Sequence, residues 1–166
     1  VQRTKSLDHE RGRLLRSIQL GRRLLFAKEL RQGKFYSYSK LYNDYKLFFC
    51  GSDKGNLNYI QSVVASLGLK DKVVFGGFVA DEELKTLYQT ATAMVFPTFL
   101  GPTNMPLLEA AQLKCPIICS NLEGHKEQLG NHALYFEPSS PQDILTKMVD
   151  ITSNTSLRTA MKEGAY

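Results

Sequence analysis

Long hydrophobic runs are missing from this chain. Nothing in it approaches the roughly 20 consecutive apolar residues a helix needs to cross a bilayer, so it is not expected to span a membrane. Residues Val1 to Arg16 also lack a hydrophobic stretch ahead of a small-residue cleavage site, the mark of a secretory signal, so a cytoplasmic home is expected. Metal-binding patterns are absent too. There is no C-x-x-C pair, no H-E-x-x-H and no Asp-x-Asp, and His9, His125 and His132 are scattered, so no bound metal is expected. The three cysteines, Cys50, Cys115 and Cys119, each sit in or beside an apolar run and read as buried thiols. The sequon Asn154-Thr155-Ser156 has no meaning in a compartment without the acceptor chemistry. With no repeat and no low-complexity linker, 166 residues read as one domain, large enough to bury a true core.

Charge is present but uneven. The net charge of +5 comes from Val1 to Lys46, where 12 Lys/Arg face 4 acids, while the remainder carries 9 against 12. Such a basic segment could attract phosphates or an anionic surface, or could simply be a solvated helix face. No motif supports nucleic-acid binding.

Leu14, Leu15, Ile18 and Leu25 recur at helical spacing ahead of Gly33, which predicts an amphipathic helix over Asp8 to Gln32. The stretch Phe35 to Tyr45 has no clear period and reads as a connection. Strands are predicted at Lys46 to Cys50, Lys72 to Phe75, Ala93 to Pro97, Pro116 to Ser120 and Ala133 to Phe136. Helices are predicted at Asn56 to Leu67 with Gly68 as cap, from Asp81 to Thr90, from Pro106 to Lys114, and from Ser140-Pro141 to Val149. Short apolar strands alternating with amphipathic helices, with no hairpin signal, imply an α/β fold: a Rossmann-like, doubly wound parallel sheet with helices on both faces.

In such a sheet, ligands sit at the carboxyl ends of the strands, here the loops 51 to 55, 76 to 79, 98 to 105 and 120 to 127. The 98 to 105 loop feeds a helix whose first amides lack helical partners. Pro106 removes one donor and is expected to leave the amides of Met105 and Leu107 for an anion such as a pyrophosphate, with Thr103 and Asn104 adding side-chain donors. Glu109, one turn in, could accept hydrogen bonds from two vicinal hydroxyls such as those of a ribose, or could be an ordinary surface or capping glutamate.

The run Pro106-Leu-Leu-Glu-Ala110 through Cys115-Pro-Ile-Ile-x-Ser-Asn121, then Glu127-x-x-Gly130 and Ala133-Leu-Tyr-Phe-Glu-Pro138, resembles the signature of retaining GT-B glycosyltransferases of family 4. Upstream, Cys50-Gly51-Ser-Asp, Val74-Phe-Gly-Gly-Phe-Val79, Asp81-Glu-Glu-Leu84 and Tyr88 to Pro97 are similar to the same family in order and spacing, so the likeness covers about residues 46 to 165. It implies the C-terminal, donor-binding half of a GT-B fold that holds a nucleotide sugar, such as a UDP- or GDP-sugar, without a metal. A separate N-terminal domain would hold a glycan or lipid-linked acceptor, and the full-length enzyme could touch the inner face of the membrane. The implied setting is capsule, lipopolysaccharide or other surface polysaccharide synthesis. By this resemblance Glu109 matches the second Glu of the family's E-x7-E motif, which binds the donor ribose. The Met105 and Leu107 amides match its diphosphate cradle, Phe78 falls where the backbone meets the base, and Gly51 belongs to the first ligand-side loop. Arg11-Gly12 loosely resembles the Lys-Gly that opens the family's first helix.

Two departures stand out. Position 101 is Gly where the family has the first Glu of the motif, so Thr103 and Asn104 take over hydroxyl recognition or the sugar is held differently. The acceptor domain, the first strand of the donor domain and the last crossing helix find no counterpart, as expected of a fragment that binds donor but transfers nothing alone. No nucleophile or general base is evident, and Glu127 reads equally well as a structural loop residue. Two other readings remain: half of a sugar-nucleotide epimerase, and a non-catalytic interaction domain with a vestigial pocket.

Overall fold

The structure, a computed structural model, describes residues 14–17 by their backbone, and residues 45–51, 55–100 and 104–164. Six parallel strands form one sheet: β1 (Leu14–Ser17), β2 (Lys46–Cys50), β3 (Val73–Gly77), β4 (Ala93–Phe96), β5 (Ile117–Ser120) and β6 (Ala133–Phe136). Six helices are described: α1 (Leu57–Ser66), α2 (Asp81–Thr90), α3 (Met105–Gln112), α4 (Glu123–Leu129), α5 (Pro141–Ser153) and α6 (Thr155–Gly164). The strand order is β3-β2-β1-β4-β5-β6, the order of a Rossmann sheet, with the switch point between β1 and β4.

β1 corrects two expectations. Residues 14–17 are a strand and not part of a helix over Asp8 to Gln32, and the first strand of the fold is therefore present. The reason is pairing: Leu15 aligns with Leu47 on one side and with Ala93 on the other, so this segment fills the middle of the sheet. Arg11, matched to the opening of the first helix, lies outside the described residues. The rest of the expected helix and the stretch from Phe35 also lie outside the described residues. A third correction concerns the loop 120 to 127, which gives way to α4 at Glu123.

Covered faces explain why the strands read as apolar runs rather than as alternations. All four residues of β4 and of β5 are buried. Met94, Phe96, Ile117 and Cys119 face a cluster with Tyr88, Leu107, Ala110, Ala111 and Leu129 from α2, α3 and α4. Ala93, Val95 and Ile118 point the other way, onto Ile144, Met148 and Ile151 of α5 and Met161 of α6. α1 packs Ile60 and Val64 on Phe49, the i and i+4 positions of one stripe. Asp81, Glu82 and Glu83 crowd the first turn of α2, where the helix dipole favours them. Ser140 caps α5 by accepting from the Asp143 amide, and Pro141 occupies the first helical position.

Candidate functional site

The ends of β2, β3, β4 and β5 share one edge, because the strands are parallel. At this edge Gly51 (φ 124) donates its amide to the Gly77 carbonyl at 2.8 Å, so the ends of β2 and β3 are tied together. Gly76 leaves no room for a side chain unless Phe48 moves, since a Cβ there would overlap the tip of the buried Phe48 ring. The loop that follows projects Phe78, 85% exposed. After β4, buried Thr98 braces the next loop: its hydroxyl donates to the Leu100 carbonyl at 2.7 Å and accepts from the Leu100 amide at 3.3 Å. Phe99, Leu100 and Met105 are exposed along the same edge. Apolar side chains therefore rim the mouth that leads to α3.

α3 starts at Met105 with Asn104 in the extended N-cap position and Pro106 in its first turn, as a proline-bearing helix start allows. Leu107, Ala110 and Ala111 bury the helix against the sheet. The Leu107 amide is not left open as expected. It donates to the Asn104 carbonyl at 3.0 Å, because the opening turn tightens around a proline that has no amide of its own. Any anion at this helix start is left to the Met105 amide and to side chains.

Two polar side chains flank that start. Glu109 is half-buried, and its Oε2 accepts from the hydroxyl of Tyr88 at 3.1 Å, whose oxygen also lies 3.3 Å from the Pro106 carbonyl. Tyr88 itself is 2% exposed on α2. Its single hydrogen favours the carboxylate, the stronger acceptor. On the other flank, the Asn104 Nδ2 meets the His125 Nε2 at 2.8 Å, and the His125 Nδ1 meets the Ser120 carbonyl at 2.8 Å. The Asn104 backbone amide donates to the Gln128 Oε1 at 3.4 Å. His125 is fully buried and stands edge-on to Phe96, with ring centroids 5.9 Å apart.

The expected residues are thus gathered in part. Asn104, Met105, Leu107 and Glu109 share the start of α3. Gly51 and Phe78 sit on the same edge but two and three strands from β4, about 10 and 14 Å along the sheet at the usual strand spacing. Gly101, Thr103 and Arg11 lie outside the described residues. Glu127 is exposed on α4. Tyr88, His125 and Gln128 are not marked as site residues by the sequence. Tyr88 offered a faint signal, a hydroxyl on the apolar Leu84–Tyr88 stripe of α2, but His125 and Gln128 reach a partner more than 20 residues away and no local spacing points to it.

Reactive chemistry is scarce. Burial pushes the Cys119 thiol from an ordinary 9.0 up to about 12, which leaves it protonated and inert at neutral pH. Cys50 and Cys115 are buried too. Among the described residues, no three His, Cys, Asp or Glu side chains gather as a metal site would require. No helix of the described residues is long and apolar enough to cross a membrane.

A Rossmann-ordered sheet with a helix start and a carboxylate at its switch-point edge fits one half of a GT-B fold. The family model "Glycosyl transferases group 1" matches residues 26–166, and the chain belongs to that family. It is 37% identical over 106 residues to the O-antigen chain mannosyltransferase RfbU of Salmonella typhimurium, covering 63% of this chain and 30% of that protein. It is 36% identical over 90 residues to mannosylfructose-phosphate synthase of Agrobacterium fabrum, covering 53% of this chain and 20% of that protein. The matched stretches therefore cover less than a third of the length of these relatives. Among solved structures, WaaG, a glycosyltransferase involved in lipopolysaccharide biosynthesis, superposes with a TM-score of 0.77 at 21% identity, over 98% of this chain and 44% of WaaG. The C-terminal domain of the group 1 glycosyltransferase LpcC from Francisella tularensis superposes at 0.73 and 21% identity, over 99% of this chain and 89% of that one.

Proposed function

We propose that this chain is the donor-binding half of a retaining glycosyltransferase that transfers a sugar from a nucleoside diphosphate to a glycan or lipid-linked acceptor of a bacterial surface polysaccharide. The observation that carries this is the tethered Glu109. With Oε2 engaged by Tyr88, the carboxylate is held in one orientation, and a fixed carboxylate can take two hydrogen bonds from the vicinal hydroxyls of a ribose. The start of α3 then lies beside the diphosphate. There the Met105 amide and the helix dipole favour negative charge by about 0.3 to 1 kcal/mol per charge, and Thr103 and Asn104 supply side-chain groups. Phe78 and Gly51 sit towards the base, on the far side of the switch point.

The relatives named as mannosyltransferases of O-antigen synthesis favour a hexose donor and a surface-glycan product. The chain supplies charge stabilisation for a departing diphosphate, the type of contribution that usually carries much of the rate, and no metal is required. The acceptor is held by a separate domain, so the fragment binds donor without transferring it. A cytoplasmic location, with the full-length enzyme at the inner face of the membrane, follows from this reading.

Titrating UDP and GDP into the protein while following amide NMR shifts tests it. Shifts at residue 51 and in residues 76–79 and 101–109 are the expected result; shifts only elsewhere, or none, overturn it.

A further inference from the structure

We infer, on the donor-binding reading above, that His125 is a positioning residue: by holding Asn104 it fixes where α3 begins, and so where α3 carries Glu109 to the nucleotide. Packing alone sets that position loosely. The buried face of α3 is Leu107, Ala110 and Ala111, and the single methyl groups of two alanines offer no ridge to key into the sheet. Hydrogen bonds are directional and supply what such packing lacks. Asn104 makes them at three atoms. Its carbonyl accepts from the Leu107 amide at 3.0 Å, its own amide donates to the Gln128 Oε1 at 3.4 Å, and its Nδ2 donates to the His125 Nε2 at 2.8 Å. The first bond ties Asn104 to α3 and the other two tie it to α4. Glu109 follows on the same helix, about 7.5 Å along its axis at the usual rise. A displacement of Asn104 is therefore carried to Glu109 and draws its Oε2 away from the Tyr88 hydroxyl, 3.1 Å distant.

The two contacts of the ring settle its state. The Ser120 carbonyl can only accept, so the His125 Nδ1 carries the hydrogen; the Asn104 Nδ2 can only donate, so the His125 Nε2 is bare. The imidazole is thus neutral and in one tautomer. It has no exposed surface, and Phe96 of β4 stands against it. Burying two polar nitrogens carries a desolvation penalty that an apolar side chain of similar size avoids. What the imidazole adds is direction: it links the end of β5 to the start of α3, at the ligand edge of the sheet. A histidine needed only to fill space would require neither bond.

Titration of the full chain with UDP and GDP, beside urea melts, tests this in two variants that each keep one bond of the ring. In H125N, the new amide can still donate to the Ser120 carbonyl but is too short to reach Asn104. In H125Q, the longer amide can still accept from Asn104 but gives up Ser120. Each variant loses one buried hydrogen bond, so similar losses of stability are expected, while affinity splits: about tenfold weaker in H125N and within about twofold of wild type in H125Q. Placed on E109A and followed by NMR titration, H125N should weaken the nucleotide by less than about twofold further, because the bond lost at Asn104 acts through Glu109. Unchanged affinity in H125N, equal losses in the two variants, a larger loss in H125Q, or a full tenfold loss on E109A overturns the inference and leaves the donor site standing. A wild-type chain that binds neither nucleotide overturns the donor reading and this inference with it. Should the variants fail to fold, the imidazole 15N shifts of the wild-type protein decide: hydrogen on Nδ1 alone, with and without UDP, is expected, and hydrogen on Nε2 overturns the inference.

Discussion

Two polar arms meet at the start of α3, and they are built in opposite ways. The Glu109 arm places an ionised group half in solvent and steadies it with one neutral hydroxyl from α2. The Asn104 arm places a neutral amide at the mouth and steadies it with a wholly buried imidazole and a second amide, both from α4. The difference follows from desolvation. A carboxylate held near water keeps its charge cheaply, whereas a polar group sunk into the core must have every hydrogen bond satisfied. The first arm matches a family motif and the second stands where that motif is broken, yet Tyr88 packs in one apolar floor with Phe96, Leu107 and Cys119, and His125 stands against the same Phe96.

The largest separation of the arms is expected from Glu109→Ala. Losing hydrogen bonds to a charged group should weaken bare UDP or GDP by about 2 to 3 kcal/mol in calorimetry, near a hundredfold. Equal binding by the variant would assign Glu109 to the surface. Tyr88→Phe deletes one hydroxyl and keeps the packing, so about 1.5 kcal/mol of nucleotide affinity should go. A loss that appears only for nucleotide sugars would place Glu109 at the sugar and not at the ribose.

The shared floor has its own signature in pH. The folded Cys119 thiol titrates near 12 against 9.0 unfolded, so above pH 9 the unfolded chain releases a proton that the folded chain keeps. Stability from this group is therefore complete below pH 9 and declines as pH rises towards 12, by up to about 1.4 kcal/mol per pH unit. Urea melts at pH 8 and 10 should show that decline in wild type and a smaller one in Cys119→Ala. The smallest effect is expected at the far end of α3. There Lys114 adopts a left-handed conformation (φ 56), the place Gly68 fills after α1 (φ 69), with the Cys115 amide bonded to the Ala110 carbonyl at 2.9 Å. Lys114→Gly relieves that conformation and should raise stability by about 1 kcal/mol, measured by urea melts, without altering nucleotide affinity. A change in affinity would mean that the helix, and not the two arms, sets the site.

What the sequence determined by itself is what local pattern can encode. Apolar runs mark β2 to β6, since strands covered on both faces need continuous hydrophobicity, and glycine and proline mark the ends of α1, α3 and α5. The stretch around Glu109 was legible for the same reason: helix start, proline and carboxylate lie within a few residues. Only the tertiary structure decided the rest. Leu14 to Ser17 carry apolar residues that suit a helix as well as a strand. They become β1 because Leu47 and Ala93, more than 30 and 70 residues away, supply ladders on both sides. His125 looks like any scattered histidine until the fold lays α4 beside α3 and sets its ring between Ser120 and Asn104, since hydrogen bonds between distant elements leave no period in a sequence.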